Sequence, residues 1–552
     1  ESYHDFDLTM AAFMRTLDQA EFKNLQAGIV LQAYLPDSFL RQQELVKWAK
    51  KRVKNAGTSG AGGSPVKMRL VKGANLVMEA VEAEIFGWPL TVFDSKIETD
   101  ANFKRMLEFG LQPENIAAVH FGLASHNLFD LAYTHVLAEE RGITEGLVFE
   151  MLEGMADHVR RTLQEEKRKG ENKESNLLLY TPVTSQDQFI SAIAYLVRRL
   201  DENTSPDNFL RHSFDIRVGS SEWKFLENQF LEAWQLKDKI SSEPRRQQNR
   251  DKEVFPENLG TFADPIFRNE PDTDWVLPEN RKWADKIRKK WQPRDNSKVK
   301  KILLYIGNSE VKSKRKQQLF FDPSQPAADV PAVYSVALAT KTDVKKAVKI
   351  AKDDPEQWRH TTLSKRHELL SGAALNMRKR RGDLIGAAAS VCGKTFYESD
   401  PEISEAIDFI EYYPHSLRLI EQHTSLKLSP LGVVLVIPPW NFPIAMITRK
   451  VAPAYAAGCS FVIKPSEHTP LCAIALAYLA DKAGFVKGAL NVVVSENAKM
   501  VGEIMTESER VRKFTFTGST GVGKQLLSQC ASTIKQTSME LGGNAPFIIF
   551  DN

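Results

Sequence analysis

Residues Leu196-Val197-Arg198-Arg199-Leu200-Asp201-Glu202 set two adjacent guanidinium groups within one helical turn of a carboxylate. Arg198 lies four residues from Glu202 and Arg199 three, so a helix brings both arginines to one acidic partner. The planar guanidinium fork binds a carboxylate through two parallel hydrogen bonds, which makes the pair suited to a small carboxylate ligand. An exposed helix surface with an ordinary ion pair is the alternative reading. A second series follows later in the chain: Pro439-Trp440-Asn441-Phe442-Pro443, Lys464-Pro465-Ser466-Glu467, Phe516-Thr517-Gly518-Ser519-Thr520 and Glu540-Leu541-Gly542-Gly543. Asn441 offers a neutral amide donor after an apolar strand, the kind of group that stabilises a developing oxyanion, or else a turn residue between prolines. Glu540 precedes two glycines that allow close approach of a ligand, and a carboxylate there suits general base work.

Other chemistries are excluded. Residues 518–524 spell G-x-x-x-x-G-K after a strand, but Gln525 stands where a phosphate-binding loop needs Ser or Thr for magnesium. Gly518 and Ser519 instead open a helix whose N-terminus suits a pyrophosphate. The four cysteines, Cys392, Cys459, Cys472 and Cys530, form no C-x-x-C pair, which argues against a metal site and against a disulfide framework. The 73 basic and 70 acidic residues nearly cancel, so no polyanion-binding field is expected, and the basic runs around Arg245, Lys286–Lys301 and Lys312 read as solvated faces and linkers. DNA binding is not predicted. No apolar run reaches membrane-spanning length, and no signal peptide is visible.

To bring these residues together the chain needs parallel sheets. Short β-rich runs at Gly28–Tyr34, Lys67–Val71, Ile116–Gly122, Leu147–Leu152 and Leu177–Pro182 alternate with amphipathic stretches such as Phe39–Lys54 and Leu128–Glu140, and Asp187–Asn203 reads as the next helix. That βαβα rhythm calls for helical crossovers. Gln32, Arg69, Lys72, His126, Glu153 and Tyr180 fall in or just after the strands. A (β/α)8 barrel builds its active site from the carboxyl ends of its strands in this way, and about three further strands are expected before Glu1 to close it. The fold class is therefore α/β: the C-terminal part of a barrel over 1–204, a helical connecting segment over 205–260, and a second β-containing domain over 261–552 that begins near Gly260. The glycine-rich Ala56–Ser64 reads as a surface insertion. Leu431–Pro438 and Cys459–Ile463 read as strands of the last domain.

Arg69-Leu70-Val71-Lys72-Gly73-Ala74, Ser125-His126-Asn127, Tyr180-Thr181-Pro182-Val183 and Leu196–Leu200 resemble the proline dehydrogenase barrel in order and spacing. The resemblance implies that Arg198 and Arg199 hold the carboxylate of L-proline, with Glu202 fixing the pair and Tyr180 lining the pocket. It implies FAD contacts at Gln32, Arg69, Val71, Gly73, Lys96, Thr99, His126 and Asn127, with Arg69 near the atom that receives the hydride. On its pattern alone His126 reads as a structural histidine at a strand end. One departure stands out: where the family continues Tyr-Trp after Gly-Ala, this chain has Asn75-Leu76, so an aromatic wall is missing or comes from elsewhere.

The later series resembles the Rossmann-like NAD-binding half of an aldehyde dehydrogenase, which implies that 261–552 is the N-terminal, NAD-binding domain of that fold. By that resemblance Pro439, Trp440, Lys464, Ser466, Glu467, Gly518 and Ser519 contact NAD, Asn441 serves the oxyanion, and Glu540 activates the water that hydrolyses a thioester. The nucleophilic cysteine of that family is expected beyond Asn552, and none of the four cysteines present stands in for it. Joined in one chain, the two halves resemble the bifunctional proline utilization A family. The resemblance implies oxidation of L-proline to 1-pyrroline-5-carboxylate and of glutamate semialdehyde to glutamate, with membrane quinone as peripheral electron acceptor. It further implies a homo-oligomer in the bacterial cytoplasm, at the inner face of the membrane. A single-activity enzyme with the other half as scaffold is the alternative, and a DNA-binding module, where the family has one, falls outside these residues.

Overall fold

The computed structural model describes residues 2–550 apart from 55–61, 169–176, 182, 214–215, 256–266, 293–298, 313–314, 326–329 and 424. The side chains of 166–168, 198, 201 and 202 also lie outside the described residues, and with them those of Arg198 and Glu202. So do Pro182, Gly260 and most of the Ala56–Ser64 insertion. The chain divides into two compact units, Glu1–Gln247 and Gln248–Asn552.

In the first unit β1 (Gly28–Gln32), β2 (Val66–Val71), β3 (Val119–Ala124), β4 (Leu147–Leu152) and β5 (Leu177–Tyr180) pair in sequence order, every pair parallel. Helices Ser38–Lys54, Lys96–Gly110 and Leu128–Glu140 make the crossovers. This is an arc of a (β/α)8 barrel. The period of two divides each strand between two faces. Val66, Met68 and Leu70 of β2, Phe121 and Leu123 of β3, and Phe149 and Met151 of β4 are buried in one apolar core with Leu45, Phe103 and Met106 from the helices. The alternate residues, Arg69, Val71, Ala124, Glu150 and Leu152, turn to the other face and line a cleft. Strand β3 starts three residues later than its apolar run predicts, because Pro113 begins a one-turn helix, Pro113–Ile116, and proline is favoured in a first helical turn. Helix Ser221–Leu236, in the 205–260 stretch, packs on the Lys96–Gly110 helix, with the Lys104 ammonium 4.4 Å from the Phe230 ring centroid.

In the second unit β6 (Lys300–Ile302), β7 (Gln317–Phe320) and β8 (Tyr334–Ala337) form a small mixed sheet in the order β6-β8-β7. The main sheet has β9 (Val433–Ile437), β10 (Ser460–Ile463), β11 (Leu490–Val492), β12 (Val511–Thr517) and β13 (Gln536–Glu540), all parallel, in the order β11-β10-β9-β12-β13. Helices cover it, so β10 is buried throughout and β9 nearly so, as their unbroken apolar runs require. The chain runs outward from β9 through β10 to β11, then returns to the other side of β9 for β12 and β13. That reversal is a topological switch point, where open α/β sheets bind ligands beyond their carboxyl strand ends.

Candidate functional site

The first cleft, about 300 Å3, opens at the carboxyl ends of the barrel strands. Gln32, Arg69, Val71, Gly73, Lys96, His126, Asn127, Tyr180 and Arg199 all line it. Thr99 sits one turn beyond Lys96 on the same helix, its hydroxyl donating to the Ser95 carbonyl at 3.4 Å. Gln32 Oε1 accepts the Ala74 N–H at 3.0 Å and so ties the Gly73-Ala74 turn to β1. Gly73 has φ +154°, and a Cβ built there would lie 2.3 Å from Tyr34 Cδ2. The missing side chain thus makes room for a tyrosine ring. Asn127 caps the helix Leu128–Glu140 through the Phe129 N–H at 2.9 Å.

His126 Nε2 accepts the Leu152 N–H at 3.0 Å, so that nitrogen carries no proton. Burial lowers the His126 pKa, and the nearby Arg199 charge works the same way. The imidazole is therefore a neutral group bridging β3 to β4. Arg199 Nε lies 3.4 Å from the Tyr195 hydroxyl.

The structure adds charged partners that sequence reading did not assign to the site: Asp100, Asp130, Lys104, Lys67 and Glu150. Lys72 Nζ sits 2.7 Å from Asp100 and 2.9 Å from Asp130. Lys96 meets Asp100 at 2.6 Å and the buried Lys104 meets Asp130 at 3.3 Å, giving three lysines on two carboxylates. Burial opposes the Lys72 charge, but the two aspartates outweigh it and raise its pKa above the ordinary lysine value. Lys96 goes the other way, lowered by burial and by Lys72 beside it. On β4, Glu150 is fully buried between Lys67 Nζ at 2.5 Å and Arg69 Nε at 2.6 Å. The signal for Glu150 was present: one carboxylate inside the apolar run Leu-Val-Phe-Glu-Met-Leu must have a partner, because a buried charge is costly alone. The aspartates carried none, since Asp100 and Asp130 fall on helices where an acidic residue is ordinary.

In the second unit the selected residues follow four adjacent strands. Pro439, Trp440 and the exposed Asn441 come after β9, and Lys464, Ser466 and Glu467 after β10. Gly518 and Ser519 come after β12, and Glu540 ends β13. Lys464 Nζ pairs with Glu467 at 3.0 Å, and Ser519 Oγ caps the helix Thr520–Ala531 at the Val522 N–H, 3.4 Å away. Thr517 donates to Glu540 Oε2 at 3.1 Å, and the Gly518 N–H donates to the Glu540 carbonyl at 3.1 Å, joining β12 to β13. Lys450 Nζ and Arg449 Nη2 lie 3.6 and 3.7 Å from Glu540 Oε1, two cations the sequence reading missed. They lie on the helix Ala445–Ala456 that follows β9, far from Glu540 in sequence, so only the folded arrangement brings them to it.

The turn that carries Asn441 is held from behind. Buried Glu402 accepts the Ile444 and Ala445 N–H groups at 2.7 and 3.1 Å and pairs with Lys394 at 2.6 Å. The Cys392 thiol donates to the Trp440 carbonyl at 3.3 Å. Burial and the Glu402 charge push that thiol up to about 12. Cys459, Cys472 and Cys530 are raised by burial as well, so all four cysteines are free thiols held in the unreactive protonated form. Among the described residues no group of His, Cys, Asp and Glu is placed to hold a metal, and no helix is long and apolar enough to cross a membrane.

Residues 1–212 match the proline dehydrogenase family and residues 313–552 the aldehyde dehydrogenase family. The chain is similar to 3-sulfolactaldehyde dehydrogenase of Pseudomonas putida, 38% identical over 43% of this chain and 53% of the relative. It is similar also to the NADP(+) succinate-semialdehyde dehydrogenase of Saccharomyces cerevisiae, 42% identical over 38% of this chain and 44% of the relative. Proline utilization A from Bdellovibrio bacteriovorus, inactivated by N-propargylglycine, superposes on 98% of this chain and 53% of its own, at 30% identity and a TM-score of 0.82. The same protein from Corynebacterium freiburgense covers 98% of this chain and 46% of its own, at 30% identity and a TM-score of 0.74. The chain spans about half the length of these relatives. Residues 1–212 therefore belong to the proline dehydrogenase family and residues 313–552 to the aldehyde dehydrogenase family, joined in the order and with the fold of proline utilization A.

Proposed function

We propose that this chain serves proline catabolism: oxidation of L-proline to 1-pyrroline-5-carboxylate at an FAD in the barrel, then NAD-dependent oxidation of glutamate semialdehyde to glutamate. One observation carries the first step. Nine of the residues selected from sequence for flavin and substrate line a single cleft at the carboxyl ends of the barrel strands. The donor set suits a flavin. Arg69, Lys72 and Lys96 supply positive charge, Gln32 and Asn127 supply amides, and Gly73 brings backbone to the cleft surface. Held there by these residues, FAD would supply the hydride acceptor. The protein's part is to hold the substrate carboxylate at Arg199 and to place positive charge where electrons arrive.

For the second step, Lys464 and Glu467 suit the hydroxyls of the NAD ribose, the Ser519 helix N-terminus suits its pyrophosphate, and Asn441 and Glu540 would serve as oxyanion donor and general base. Arg449 and Lys450 beside Glu540 favour an aldehyde that bears an acidic group of its own. That character is shared by 3-sulfolactaldehyde and succinate semialdehyde, for which the two relatives are named, and by glutamate semialdehyde. The step also needs a thiolate, which none of this chain's four protonated cysteines supplies. That observation favours a second reading for the 552 residues taken alone: a proline-oxidising half beside an NAD-binding scaffold. Membrane quinone as electron acceptor, a homo-oligomeric state and a cytoplasmic position at the inner membrane face belong to the same proposal. Equilibrium binding of FAD and of NAD tests it, with one equivalent of each expected. A chain that binds neither would refute both readings.

A further inference from the structure

We propose that Glu150 is a positioning residue for Arg69, holding the guanidinium by its Nε so that the terminal nitrogens stay available as donors in the cleft. This rests on the flavin reading above and adds a residue outside every motif quoted for it.

Three observations support the assignment. The Glu150 carboxylate is completely buried and nevertheless lines the cleft, on the strand face where β2 and β3 present their own polar side. A carboxylate persists in such a place only when cations compensate it, and Lys67 and Arg69 do so from adjacent turns of the β2 pleat. Both contacts are short ion pairs whose angles fall outside hydrogen-bond geometry, so they act through charge. Second, the neighbouring strand is built around the carboxylate. A Cβ added to Gly122 of β3 would lie 2.3 Å from Glu150 Oε1 and 3.0 Å from Lys67 Cε, so glycine leaves the space the group occupies.

Third, Arg69 is fixed on two sides. Glu150 takes its Nε, and the Tyr180 ring lies under the guanidinium with its centroid 4.4 Å from Cζ. A guanidinium held by edge and face loses little further freedom when a ligand meets its remaining donors. The three charges sum to one positive charge, so the cluster stays cationic on the cleft face. A purely structural ion pair explains the burial. It does not explain the second cation, the cleft-facing position or the stacked tyrosine.

A double-mutant cycle on the 552-residue chain tests this, with the FAD dissociation constant read from flavin fluorescence and the flavin absorption spectrum recorded alongside. Glu150→Gln and Arg69→Met are each expected to weaken FAD by about tenfold, and the double variant to be no weaker than Arg69→Met alone. Additive losses, or unchanged affinity in Glu150→Gln, would overturn the proposal. Glu150→Asp keeps the charge but withdraws it by one methylene, and it replaces Glu150→Gln in the cycle if that variant does not fold. Should the unsubstituted chain take up no FAD, the flavin reading falls while the Glu150 claim is decided by Tyr180. Its phenol is raised by burial and by the Glu150 charge. Followed by 13C-tyrosine NMR, it should titrate at lower pH in Glu150→Gln, and an unmoved phenol would refute the contact.

Discussion

Gly73 illustrates how a residue's position can be right for a reason the sequence does not contain. A glycine in a cofactor loop reads as room for the ligand, whereas here the space belongs to the Tyr34 ring. Gly73→Ala is therefore expected to cost about 1–3 kcal/mol of stability by overpacking, read by urea denaturation with no ligand present. A loss seen only when FAD is added would contradict this. His126 gives a pH prediction. Its pKa is depressed in the folded state by burial, so the unfolded chain takes up its proton first as the pH falls. Stability from this group is complete above the ordinary histidine value and declines from there down to the depressed folded value. His126→Asn should flatten that part of the stability-versus-pH curve, and an unaltered slope would refute the neutral assignment. The four thiols, protonated and mostly buried, should react with a thiol reagent at pH 8 only as the protein unfolds. A fast native equivalent would mean that one of them is activated.

At the scale of elements, periodicity carried most of the fold. The run Lys67–Val71 reads as a strand, and in the structure its alternation divides Met68 and Leu70 in the core from Arg69 and Val71 in the cleft. Continuous apolar runs marked β9 and β10 as strands covered on both faces. Strand ends were less legible, because proline and turn chemistry set them locally, as at Pro113 before β3. The sites divided in the same way. Of the residues read in or just after strands, Gln32, Arg69, Lys72, His126 and Tyr180 line one cleft, because strand ends converge there, whereas Glu153 does not. Lys72's aspartates, Glu150's two cations and the Arg449–Lys450 pair became visible only once distant strands and helices were side by side. The ion pair at the end of β10 yields a test of its own. Lys464→Ala removes a charged donor beside the expected ribose site and should weaken NAD by about tenfold, as charge-assisted hydrogen bonds do. Equal affinity, measured by nicotinamide fluorescence, would remove Lys464 from the site.

On the scale of the whole molecule, two parallel sheets each gather polar residues at their carboxyl ends, one proposed to take a carboxylate beside a flavin and the other a dinucleotide beside a general base. The two halves need different tests: the second proposed step needs a thiolate that none of the four cysteines supplies, so the test falls on the first, the oxidation of proline. That step is the central claim. The most direct measurement is an anaerobic titration of the FAD-loaded chain with L-proline, following flavin absorbance, with Arg199→Met run in parallel. The proposed function predicts full bleaching at stoichiometric electron transfer in the parent chain and a much higher proline requirement in the variant. Flavin that stays oxidised at saturating proline would contradict it.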